Sequence, residues 1–237
     1  LNCKKKMITS HYPYLENPEP QYVFLYDLLK NSKSHIVCLS DRIEKEFLHR
    51  GNDSTDVSIL PCGIDVSLYS IDEKDVLYPD RSIIVGKIEP RKRQAFLQHK
   101  GLNIDFIGNN SDVNFDLNDT CYFGEQSKQD IMDNLTSYAN MILLSSGEAH
   151  PFVCLEGMAA GLGLVLSEQS TANLDLDKPF ITVIPDSKLD DTDYLRDKIR
   201  ENREVSIPLR KEIRQYCFEN FDWSAIIQKY KGIIEKI

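Results

Sequence analysis

From Arg81 onward the chain alternates short apolar runs with amphipathic ones. "RSIIVGKI", "NIDFIG", "TCYFG", "MILLSS", "GLVLSE" and "FITVIP" each read as a strand apolar enough to be buried on both faces of a parallel sheet. Between them, Arg91 to His99, Gln126 to Tyr138 and Pro151 to Ala160 carry helical spacing. Strand and helix taking turns predicts a doubly wound α/β domain over residues 81–215. Residues 1–68 repeat the alternation in shorter form: "KMITSHY", a helix from Pro20 to Leu29, "HIVCLS", a helix from Asp41 to His49, and "VSILPCG". About three strands are few beside the roughly 4 to 6 of a typical sheet, so this segment reads as part of a second domain. Residues 69–80 are polar and turn-rich, as a linker is. Residues 216–237 end in a helix expected to cross back to the first domain. In it Trp223, Ile226, Ile227, Tyr230, Ile233 and Ile234 recur at core-contact spacing behind Asp222.

Composition narrows the class. The chain has 237 residues, is 41% hydrophobic and 27% charged, and has no apolar run approaching the roughly 20 residues that span a bilayer. Peripheral membrane association is left open. The formal net charge of -9 repels nucleic-acid phosphates, so nucleic acid is not an expected partner. Basic groups cluster at Lys4 to Lys6 and Arg91 to Arg93, and such runs are most often solvated faces. Cys3, Cys38, Cys62, Cys121, Cys154 and Cys217 are scattered and mostly set in apolar runs without zinc spacing. They read as reduced core thiols of a cytoplasmic protein.

One apolar stretch carries two carboxylates, Glu148 and Glu156, in "SSGEAHPFVCLEGMAAGLGLVLSE". On one continuous helix they would stand about 12 Å and 80° apart. Pro151 fits best in the first turn of a helix, however, which leaves Glu148 in the preceding loop and Glu156 in the second turn. Gly161 then ends that helix. A loop at the carboxyl end of a parallel strand, followed by a helix N-terminus, is where α/β sheets bind phosphorylated ligands. Spacing alone does not decide whether Glu156 lies on a wet stripe of its helix or meets the hydroxyls of a ligand.

The segment "EAHPFVCLEGMAAG" resembles the signature of the retaining, nucleotide-sugar-dependent glycosyltransferases of the GT-B fold, the group called family four. "HIVCLSDRIEKEF", "SILPCGID" and "IIVGKIEPRKRQ" fall in that family's order, as do "FIG", "YFG" and "FDWSAIIQKY". The resemblance implies a GT-B α/β fold, with one complete Rossmann-like doubly wound domain and the C-terminal portion of the acceptor-side domain. It implies transfer of a hexose from a nucleoside diphosphate sugar to a hydroxyl of a glycan, lipid or protein, with retention and without a metal or other cofactor. Lys87 and Lys92, with Arg91 a near competitor, would bind the diphosphate. Glu156 would accept from the ribose, and Glu148 would face the reacting sugar. His11 would reach the sugar across the cleft. Backbone groups of His150, Pro151, Phe152 and Val153 would face sugar and phosphates, and those of Tyr122 to Gly124 the base.

The chain departs from the family at Pro151 and Lys87, where Gly and Arg are usual, and at Gly163, where Pro is common. Pro151 removes a backbone donor, and Lys87 keeps charge but loses the bidentate fork. "DLD" at Asp175 to Asp177 is a loop match to a metal-binding Asp-x-Asp, not a strand-end one. The resemblance also implies that several strands of the family's first domain come before anything like Lys6 to His11. Two rival readings are a nucleotide-sugar-binding module without transfer activity and a sugar-nucleotide epimerase of the same architecture.

Overall fold

The computed structural model describes residues 6–11, 20–71 and 76–237, so Cys3, Lys4, Lys5 and the linker residues Asp72 to Asp75 lie outside the described residues. The first lobe is a parallel sheet of β1 (Met7–Ser10), β2 (His35–Cys38) and β3 (Val57–Ile59) in that order. Helices α1 (Pro20–Asn31) and α2 (Asp41–His49) belong to it. Its core gathers Tyr26, Ile36, Cys38, Leu39, Ile43, Phe47 and Val57.

The second lobe is a five-stranded parallel sheet of order β5-β4-β6-β7-β8. Its strands are β4 (Tyr78–Val85), β5 (Ile104–Ile107), β6 (Tyr138–Leu143), β7 (Gly163–Ser167) and β8 (Ile181–Ile184). Alternate residues of each strand feed opposite cores, which is why the strands read as unbroken apolar runs. Ile83, Val85, Met141, Leu143, Leu164 and Leu166 join one core, with α5 (Phe152–Ala159) and α7 (Arg210–Phe221). Ile84, Ile142 and Val165 join the other, with α3 (Gln94–Gln98) and α6 (Thr192–Ser206). The strand order reverses between β4 and β6, and the helices that follow those two strands leave to opposite faces. A crevice opens at such a switch point, and it is where doubly wound sheets bind ligands.

Four elements differ from the sequence reading. The expected strand "TCYFG" is a single bridge, Phe106 with Tyr122, laid along the edge strand β5. The helix expected from Arg91 to His99 is a 3₁₀ turn (Pro90–Lys92) and the short α3, because Arg93 takes a left-handed φ of 60° and breaks the helical path. The helix expected over Gln126 to Tyr138 is α4 (Lys128–Asn134) and one 3₁₀ turn, and Tyr138 already opens β6. In α8 (Trp223–Lys236) only Ile226 and Ile233 are buried, while Trp223 is 51% exposed and Ile227, Tyr230 and Ile234 face outward. The helix rests on one narrow stripe, so four of those six apolar residues miss the core.

Two positions show why glycine stands where it does. A Cβ on Gly163 would meet Ser206 Oγ at 1.8 Å, where β7 and α6 are in close approach. A Cβ on Gly108 would lie 2.0 Å from the Gly86 carbonyl, which joins the carboxyl ends of β5 and β4. Between the lobes, Ile64 N–H donates to Phe221 O (2.9 Å) and Trp223 N–H to Ile64 O (3.0 Å), so α7 and α8 hold the exit from the first lobe.

Candidate functional site

The carboxyl ends of both sheets face one another. Leu39, just past β2, accepts from Asn173 Nδ2 at 2.6 Å, and Arg42 of α2 donates to Gln169 in the loop after β7. Past β3, Cys62 N–H donates to His150 Nδ1 at 3.0 Å, in the loop after β6. The loops after β4 and β6 thus lie at the switch point, and the loops after β6 and β7 lie against the first lobe.

Arg91 joins those two loops. Its Nη1 donates to Ser145 Oγ (3.0 Å), to Glu148 Oε1 (2.9 Å) and to the Gly147 carbonyl, and its Nη2 donates to Glu89 Oε1 (2.6 Å). Its own carbonyl accepts from Ser146 N–H at 2.9 Å. Gln94, wholly buried, shapes the β4 loop by donating to Lys87 O (2.9 Å) and accepting from Glu89 N–H (3.3 Å). Lys87 is 60% exposed, and its ammonium is 3.9 Å from Glu89 Oε2. Lys92 directs its ammonium at the backbone of Gly86, whose missing Cβ would stand 2.9 Å from Nζ. Among the described residues no hydrogen bond or ion pair engages the Lys92 side chain.

Pro151 precedes the first helical residue of α5, and Gly161 (φ 80°) follows its last turn. Gly161 N–H donates to Met158 O and Leu162 N–H to Gly157 O, a glycine-terminated stop. Glu148 sits in the loop with its side chain 15% exposed, and Glu156 is half-buried in the second turn, as the position of Pro151 implied. The Tyr69 hydroxyl donates to Glu156 Oε1 at 3.0 Å. Burial raises the Glu156 carboxyl above its ordinary range, against the opposing pull of the Tyr69 hydrogen bond and of Lys128. Burial likewise pushes up the Cys154 thiol, which feels Glu148 and Glu156 raising it and Lys92 lowering it. The Cys154 thiol thus lies within electrostatic reach of three of the sequence-selected groups.

His150 is 6% exposed and packs against Phe221 with ring centroids 5.7 Å apart. Burial lowers it to about 4, so at neutral pH the imidazole is uncharged, with Nδ1 accepting from Cys62 and the proton on Nε2. Phe152 is exposed beside it. Tyr122 donates to Gly108 O (2.9 Å), and Gly124 O accepts from Gly108 N–H (2.8 Å), so that segment lines the end of β5. His11 is exposed just past β1 and has no hydrogen bond to the other selected residues. Two groups escaped the sequence reading, Tyr69 and Lys128. A polar cavity of about 480 Å³ runs between the lobes, and its lining includes Asp41, Arg42, Lys45, Glu148, Gln169 and Asn173.

No protein-family model matches the chain, and no curated protein sequence matches it. Solved structures do. HepE of Anabaena, crystallised with UDP-glucose, is 14% identical over 98% of this chain and 72% of its own, with a TM-score of 0.72. TarM is 10% identical over 97% of this chain and 50% of its own, with a TM-score of 0.71. Sucrose-phosphate synthase from Thermosynechococcus elongatus is 14% identical over 97% of this chain and 67% of its own, with a TM-score of 0.69. The chain therefore spans half the length of TarM. At these identities the likeness is one of fold: α/β of the GT-B type, with a Rossmann-like domain.

Proposed function

We propose that the chain is the donor-binding part of a retaining glycosyltransferase, which moves a sugar from a nucleoside diphosphate sugar to an acceptor hydroxyl without a metal. The observation that carries this is Arg91, which ties the β4 loop to the β6 loop and holds Glu148 at a switch point that faces a second lobe. HepE, of the same fold, is solved with UDP-glucose, and TarM with UDP and α-GlcNAc-glycerol. In this reading residues 81–215 are the donor domain, residues 1–68 belong to the acceptor side, 69–80 link them, and 216–237 return to the first lobe.

The chemistry follows from which groups are free. Breaking the glycosidic bond leaves negative charge on the departing diphosphate, and fixed cations that meet it lower the barrier. Among the described residues the Lys92 ammonium has no hydrogen-bond or ion-pair partner, and that of Lys87 has only a distant one, so both are available to phosphate. Arg91 spends its fork on the loop of Glu148 and serves the donor by holding that loop. Glu148, anchored at one oxygen, accepts from the sugar and stabilises its developing positive charge. Backbone N–H groups at the start of α5 face the phosphates. Glu156 takes the ribose hydroxyls, Tyr122 to Gly124 the base, and His11 closes on the sugar from the first lobe. The five described cysteines are all free, in keeping with a cytoplasmic enzyme. No helix among the described residues is long and apolar enough to cross a membrane.

A thermal-shift panel of UDP-, GDP- and ADP-sugars on the 237-residue chain tests the reading. One nucleotide class at 100 times its dissociation constant adds about 2.7 kcal/mol of stability, and Glu156→Gln removes most of it. A flat panel overturns the donor site. Product analysis then separates transfer from its rivals. An altered sugar nucleotide means epimerase, and binding with no turnover alongside any acceptor means a binding module.

A further inference from the structure

The carboxylate of Glu156 is held by a residue that precedes the second sheet altogether. Tyr69 follows the 3₁₀ turn Val66–Leu68 on the way out of the first lobe, is 1% exposed, and places its hydroxyl 3.0 Å from Glu156 Oε1. Its main chain is fixed as firmly as its ring. Arg214 of α7 donates through Nη2 to Val66 O at 2.8 Å, and through Nη1 to Ala159 O at 2.6 Å and to Tyr69 O. Ala159 is the last residue of α5, the helix that carries Glu156. One guanidinium therefore locks the linker to the C-terminal end of that helix, while the tyrosine reaches back along it to the carboxylate. Residues 66–69 are attached to the second lobe, although they lead out of the first.

A carboxylate offers about four acceptor positions on two oxygens. A donor fixed on Oε1 leaves Oε2 free and sets the plane in which it points, which is what a pair of neighbouring hydroxyls on a ligand needs. The donor is a neutral hydroxyl, not an ammonium or guanidinium, so it orients the carboxylate without cancelling its charge. The geometry points to Tyr69 as the positioning residue of the donor site, holding the Glu156 carboxylate ionised and aimed at ligand hydroxyls. This inference rests on the donor-site reading above. The ionisable groups that face the carboxylate are the Tyr69 hydroxyl from the linker, Lys128 from α4 and Cys154 from its own helix; Cys217 of α7 faces Tyr69 in turn. Burial dominates the upward shift of Glu156, and the tyrosine opposes it, so without the hydroxyl the carboxyl holds its proton to higher pH.

The experiment has one arm that needs no ligand. Side-chain carboxyl titration by ¹³C NMR, on wild type, Tyr69→Phe and Glu156→Gln, assigns the Glu156 signal by its loss in Glu156→Gln. Its midpoint moves upward in Tyr69→Phe while the melting temperature changes little, because phenylalanine keeps the ring. The second arm titrates UDP, GDP and ADP calorimetrically between pH 5.5 and 8. The diphosphate that binds wild type binds Tyr69→Phe about 10-fold more weakly at the acid end, with partial recovery at the alkaline end. On a Glu156→Gln background Tyr69→Phe adds no further loss. An unmoved midpoint overturns the inference, and so does an equal affinity loss with and without Glu156, which would make Tyr69 a packing residue only. A shifted midpoint with no diphosphate bound by wild type upholds the tyrosine's hold on the carboxylate and overturns the donor site instead.

Discussion

The two glutamates stand eight positions apart in sequence and are secured by opposite means. Glu148 is bound by a guanidinium of its own lobe, and Arg91 also takes Ser145 and Gly147 of the same loop and Glu89 of the β4 loop. Glu156 is bound by one neutral hydroxyl from the linker, with its burial otherwise uncompensated apart from the pull of Lys128. A cation on a carboxylate fixes a charge in place and balances it. A hydroxyl fixes direction and leaves the charge to act on whatever arrives. The first arrangement suits a group that must keep its station while charge develops beside it. The second suits a group that exchanges hydroxyl partners before and during reaction alike.

The largest effect is expected where the comparison is broken outright. Arg91→Ala removes the only cation bonded to Glu148 among the described residues, together with the cross-link between the β4 and β6 loops. Donor turnover, measured as transfer or as slow hydrolysis, should fall on the order of 10³-fold, since the loss combines misplacement with an exposed carboxylate. Arg91→Lys, which keeps charge without the fork, should recover about a tenth of the loss or less. Turnover within a few-fold of wild type in Arg91→Ala would mean that the loop stands without its strut.

A smaller effect sharpens the comparison by separating binding from chemistry. Glu148→Gln should lower kcat by about 10² to 10³-fold, with little change in the affinity for free nucleoside diphosphate. Glu156→Gln should weaken that affinity by about 10-fold or more, with the smaller change in kcat. Calorimetry with the diphosphate and steady-state kinetics with its sugar read both. An unchanged affinity in Glu156→Gln beside a large affinity loss in Glu148→Gln inverts the assignment.

Much of this arrangement was legible in the sequence because it rests on local rules. Pro151 and Gly161 bracket α5, and that bracket alone puts Glu148 in a loop and Glu156 in a second turn. The two-faced strands announced themselves because both faces of the sheet are covered. What stayed hidden depends on contacts between distant segments. "TCYFG" has the composition of a strand, yet pairing decides, and it finds a single bridge at the edge of β5. Trp223, Ile227, Tyr230 and Ile234 keep helical spacing, which says that they share a face but not that anything covers it. Tyr69 sits in a polar, turn-rich stretch and meets a carboxylate 87 positions on. No local pattern marks such a residue.

The smallest effect concerns the residue between the two glutamates, and its sign follows from which protonation state the fold accepts. His150 gives Nδ1 to the Cys62 N–H and is enclosed beside Phe221, so a second ring proton would displace the Cys62 bond and bury an unpaired charge. Its folded value of about 4 lies below the ordinary histidine value of 6.5. The unfolded chain therefore takes up the proton first as pH falls. The stability contributed by neutral His150 is fully present above about pH 6.5, declines below it, and levels off once pH passes about 4. Between pH 7.5 and pH 5 the loss is about 2 kcal/mol. The depressed carboxyls Asp41, Asp53, Asp191 and Asp222 lose their contribution only below their ordinary value of 3.8, whereas His35, also lowered by burial, adds to the descent in the same window in wild type and variant alike. Glu156, raised, acts in the opposite direction and makes the net slope somewhat shallower. Urea unfolding at pH 7.5 and pH 5, on wild type and His150→Phe, reads the difference. The variant should lose about 1 kcal/mol at pH 7.5 for the unpaired Cys62 N–H, but should show a flatter descent to pH 5. Parallel descents would place the acid sensitivity elsewhere.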